Sequence, residues 1–166
     1  MTADEMRKLY SEVEGLIQAS DLRKALEILR GLTAANIPEA DRAMAHVNLA
    51  LVYKKLAEPS RAIAHLDQAS LFPRFDYRLF AQGQKAAYLG ELGRVKEAIG
   101  CWRDLLKQDE LTQHEKEMLE GNIRSLEAGS QPSSPGQAPP ERQPLRLWDA
   151  AISLLRGGRP TEDDRR

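Results

Sequence analysis

The chain has one cysteine, Cys101, in 166 residues. A single thiol cannot build an intramolecular disulfide framework, so packing must hold the fold, and a reducing compartment is compatible with that. An excess of charge of either sign is also missing. Lys and Arg number 24 against 25 Asp and Glu, giving a net charge of −1 with the signs interspersed. No basic stripe favours nucleic acid, and no long acidic run suggests a solvating tail. No apolar run follows a basic start: MTADEMRKLYSEVEG is charged and helical from the outset, unlike a signal peptide. No stretch approaches the roughly 18 apolar residues that a bilayer span needs. A soluble cytoplasmic protein is the expectation, and membrane contact is not expected.

Residue constellations that do chemistry are missing too. His46, His65 and His114 fall on different predicted helices without paired metal-ligand spacing. Cys101 sits mid-helix beside Trp102, with no adjacent base or positive helix end to lower its pKa. The carboxylates are scattered among Lys and Arg as on solvated faces. The glycine pair Gly157-Gly158 ends a helix and does not cradle phosphate. No enzymatic activity, cofactor or metal is expected.

What is present is a recurring helical pattern, clearest over residues 43–73, AMAHVNLALVYKKLAEPSRAIAHLDQASLFP. Leu49, Ala50 and Tyr53 share one helical face, which Leu56 continues. The chain breaks at Ala57-Glu58-Pro59-Ser60. Pro59 has no N–H to donate and suits the first turn of a new helix. Ala62, Leu66 and Ala69 share a face there, and Pro73 ends it. Anchored on Ala62, the pattern recurs at Ala25, 37 residues earlier, and at Ala98, 36 later. The third copy carries Ala86, Leu89, the turn residue Gly93 and Trp102. The first carries Val13, Leu16, Ala25 and Leu29.

The order small, aromatic, Ala, large apolar, Ala in Ala50, Tyr53, Ala62, Leu66 and Ala69 resembles a tetratricopeptide repeat, with a family period of roughly 34. Pro73 lies near the family's usual final proline; His46 stands where a Trp is common. The resemblance covers about residues 5–110. It implies an all-α solenoid of three helix pairs: about 3–18 with 22–33, 40–57 with 60–71, and 77–91 with 94–108. Thr2 with Glu5, and Thr112 with Glu115, form capping boxes. The second opens a terminal helix whose Leu119, Ile123 and Leu126 cover the last repeat, as solenoids require. One repeat domain over 1–128 is expected.

Composition then changes. Residues 129–144, GSQPSSPGQAPPERQP, hold five of the nine prolines and read as a tether. Residues 145–157 follow as an amphipathic helix with Leu147, Trp148, Ala151, Ile152 and Leu155 on one face and Arg146, Asp149, Ser153 and Arg156 opposite. The tail 158–166 is expected to be disordered.

The resemblance further implies a ligand groove lined by the first helix of each pair. Its residues are Tyr10 and Glu14; Met44, Val47, Asn48, Leu51, Lys54 and Lys55; and Phe80, Gly83, Gln84 and Ala87. Arg7, Ile17, Gln18, Gly90 and Glu91 hold further groove places. The floor is largely apolar and is expected to be open at Gly83 and Ala87, which suits an apolar helix or peptide. The carboxylate clamp of heat-shock cochaperones is not matched, since Asn48 alone fits it. The expected function is a protein–protein adaptor or scaffold. The helix 145–157 serves it as an intramolecular plug, an oligomerisation element or an address tag; the last resembles, in layout only, the tags of bacterial shell-enclosed cargo. The alternative is a small chaperone similar to those of type III secretion translocators.

Overall fold

A computed structural model describes residues 2–129. The tether beyond Gly129, the helix 145–157 with Leu147, Trp148, Ala151, Ile152 and Leu155, and the tail lie outside the described residues. Among those described, all regular structure is helical: α1 (Ala3–Gln18), α2 (Leu22–Ala34), α3 (Glu39–Lys55), α4 (Pro59–Ser70), α5 (Phe75–Glu91), α6 (Val95–Leu106) and α7 (Gln113–Gly129). Gly129, expected to open the tether, instead closes α7.

Local chemistry sets the helix starts. Thr2 Oγ1 accepts from the Glu5 N–H at 3.3 Å and Glu5 Oε2 accepts from the Thr2 N–H at 2.6 Å, a reciprocal capping box. Thr112 and Glu115 repeat it at 3.3 and 2.8 Å before α7. Asp21 caps α2 through the Lys24 N–H. Pro59 occupies the first turn of α4.

The helix ends carry the repeat. Ser20, Ala57 and Gly93 all adopt the left-handed region, with φ of 61°, 56° and 75°. At each, the following N–H reaches back five residues in the Schellman pattern: Asp21 to the Leu16 carbonyl, Glu58 to Tyr53 and Arg94 to Leu89, all at 2.9 Å. The three turns are 37 and 36 residues apart, the same intervals that separate Ala25, Ala62 and Ala98. One backbone device has therefore been used three times, whatever side chain stands at it.

The chain divides into two compact units, Met1–Lys85 and Ala86–Arg166, with the boundary inside α5. In the first, α1 packs on α2, α2 on α3 and α3 on α4. Its core holds Val13, Leu29, Leu49 and Val52, with Ala25, Ala43, Ala45, Ala62 and Ala81 letting backbones approach closely. A side chain such as Leu29, 0% exposed, contributes about 1.5–3 kcal/mol by its burial. Lys85 on α5 pairs with Asp67 on α4 at 2.6 Å. In the second unit α6 packs on α7. Ala86, Leu89, Ala98, Trp102, Leu105, Leu119 and Ile123 are buried. Arg103 and Glu127 pair across these helices at 3.1 Å.

Candidate functional site

Helix α3 is the central element of the first unit. Seven of its residues are buried: Ala43, Ala45, Val47, Leu49, Ala50, Val52 and Tyr53. The other ten are half-buried or exposed, and among them Met44, Asn48, Leu51 and Lys55, spaced four, three and four residues apart, align along one side. The first three are half-buried and Lys55 is exposed, as is Lys54 beside it. Asn48 Nδ2 donates to the Met44 carbonyl at 3.1 Å, so part of its amide serves its own helix.

The other expected groove residues of this unit take several positions. Glu14 is exposed on α1 and lies near Gln18. Tyr10 is half-buried and its hydroxyl donates to the Asp41 carbonyl oxygen at 2.5 Å, tying α1 to α3. Burial chiefly, then the Asp41 carboxylate and Tyr77, hold the Tyr10 phenol well above its usual range. Burial likewise raises the Asp41 carboxyl and the Tyr77 phenol. Asp41 on α3 and Tyr77 on α5 are thus close enough to Tyr10 to act on it electrostatically. Val47 is 8% exposed and forms a core cluster with Ala69 and Ala81, against which the half-buried Phe80 packs. Gln84 is half-buried.

Some expectations need correction. Ile17 is 5% exposed and belongs to the core, completing with Met6 and Val13 a buried face of α1. Gly83 is buried and Ala87, in the second unit, is 8% exposed, so neither leaves the opening that their small size suggested. Gly90 is covered by α7: a methyl group built on it would lie 3.2 Å from Leu126 Cδ1. The missing side chain at 90 makes room for α7, not for a ligand.

His46 and His65 lie on different helices, as expected, and the packing of α3 on α4 sets their Nδ1 atoms 3.0 Å from each other. The Tyr53 ring stacks on His65 with centroids 5.3 Å apart and planes within 6°. Arg30 donates to the Tyr53 hydroxyl at 2.7 Å, and the Arg61 guanidinium lies over the Tyr53 ring. The place where His46 replaces a common Trp was the one available hint, since a large ring there faces the partner helix. Among the described residues no group of three His, Cys, Asp or Glu could hold a metal ion, and no helix is long and apolar enough to cross a membrane. Compared with protein-family models, curated proteins and solved structures, the chain matches none.

Proposed function

We propose that the chain is a non-enzymatic adaptor of the tetratricopeptide type, soluble in the cytoplasm, which holds an apolar helix or peptide along the face formed by α1, α3 and the start of α5. The recurrence of one Schellman turn at Ser20, Ala57 and Gly93 supports the repeat reading. So does the burial of Ala50, Tyr53, Ala62, Leu66 and Ala69, the residues that carry the resemblance. The observation that carries the function is the aligned stripe Met44–Asn48–Leu51–Lys55, none of which is buried, on a helix with seven core residues. Two half-buried apolar side chains flank an amide, and lysines close the far end. An amphipathic helix matches such a strip by apolar contact along its length and polar contact at its edge.

The test uses a fluorescent peptide of residues 145–157 as the helical probe. Anisotropy is measured on the full chain and on a chain ending at Gly129. Leu51→Glu places a charge where the peptide must exclude water, and is expected to weaken binding at least tenfold, a loss of about 1.4 kcal/mol or more. Lys96→Glu, on the exposed side of α6, is expected to change nothing. Tighter binding to the shortened chain identifies the 145–157 segment as a plug. Absence of binding to both chains, or an unchanged affinity in a folded Leu51→Glu variant, overturns the reading.

A further inference from the structure

Two neutral imidazoles whose Nδ1 atoms face each other share one hydrogen bond: one ring donates its Nδ1–H and the other accepts. That is the arrangement of His46 and His65 at 3.0 Å. One added proton keeps the bond, since the protonated ring donates and its neighbour accepts in its Nε2–H form. A second added proton does not. Both Nδ1 atoms then donate, no acceptor lies between them, and two positive rings stand with centroids 5.3 Å apart. His65 is held in place, stacked on Tyr53, whose hydroxyl accepts from Arg30. We propose that His46 and His65 form a clasp between α3 and α4 that tolerates one added proton but not two, so that mild acid loosens this helix pair.

The surroundings act in the same direction. Among the described residues, Arg30 from α2, Arg42 from α3 and Arg61 from α4 act on the pair or on Tyr53. Burial first, then His65 and Arg42, lower the pKa of His46; burial first, then Arg30, lowers that of His65. Histidines depressed in the folded state give stability that is complete above their unfolded value of about 6.5 and is lost as the pH falls below it. Each proton the folded chain excludes lowers its folding equilibrium constant about tenfold per pH unit across that window. The clasp is independent of the groove reading, because it rests on α3–α4 packing and needs no ligand.

The chain has three histidines, so their ring resonances in the full-length protein can be followed by NMR from pH 8 to pH 4.5. The clasp predicts a coupled, two-step titration of His46 and His65, the second step at least one pH unit below the first. His65→Gln should convert His46 to a single step. In urea unfolding, the wild type should lose about tenfold more in folding equilibrium constant between pH 6.5 and 5.5 than the His46→Gln/His65→Gln double variant, in which carboxylate effects are the same. Independent single-step titrations of His46 and His65 in the wild type overturn the proposal without any variant. Equal pH slopes in the wild type and a folded double variant overturn it as well.

Discussion

Ala57 holds a backbone conformation that an L side chain resists by about 1–2 kcal/mol and glycine does not. Its counterpart Gly93 needs no such expense, and nothing lies within 4 Å of where its methyl group would be. The pair makes a clean test because the turn geometry is shared while the residue differs. Ala57→Gly should stabilise the protein by about 0.5–1 kcal/mol, after allowing for the greater freedom of glycine in the unfolded chain. Gly93→Ala should destabilise it by about 1–2 kcal/mol. Urea midpoints check both, and changes of the same sign would show that the turns are not equivalent. The contrast also explains what could be read in advance. A glycine marks a left-handed turn by its chemistry, so Gly93 was legible as one. Ser20 and Ala57 carry no such preference, and their φ is imposed by the six-residue backbone bond around them. Tyr10 illustrates the opposite failure. The repeat pattern places it in the groove, yet its hydroxyl is engaged by a backbone carbonyl that no side-chain pattern announces.

Helix boundaries were legible where a side chain defines them and less so elsewhere. The expected limits of α1, 3–18, match Ala3–Gln18 because Thr2 and Glu5 fix its start. Helix α5 begins at Phe75, two residues before the expected position, with Asp76 drawn into an ion pair with Arg74 at 2.5 Å. Helix α3 was legible as an element but not in its degree of burial. A helix with buried residues spread around it has little amphipathic contrast, so its sequence does not reveal which of its side chains stay accessible. For α7 the capping box has a direct consequence. Thr112→Ala removes the acceptor for the Glu115 N–H and leaves the Glu115 carboxylate with less to hold it. The expected cost is about 1 kcal/mol. Hydrogen exchange should locate it in the first turns of α7, whereas a cost spread evenly over α1–α4 would contradict a local cap.

For the chain as a whole, the central question is how far a perturbation travels. Helical repeats contact mainly their sequence neighbours, so their stability approximates a sum of local terms and not one global transition. The division into Met1–Lys85 and Ala86–Arg166 gives that expectation a place to be tested. Trp102 is the largest fully buried side chain, at 0% exposure, and its Nε1 has no partner among the described residues. Trp102→Phe therefore removes an indole N–H that makes no hydrogen bond among the described residues, and its cost is expected to come from lost volume. Trp102→Ala opens a cavity and should cost about 3–5 kcal/mol. If the units respond separately, amides of α6 and α7 in that variant should exchange at least a hundredfold faster, while those of α2 and α3 change by less than about threefold. The α3 stripe would then keep its affinity for the peptide probe in spite of a damaged second unit. Equal acceleration in α2, α3, α6 and α7 would instead mean that Leu29, Leu49 and Trp102 belong to one cooperative transition, and that the recurrence of the helix-ending turns is not matched by repeat-like energetics.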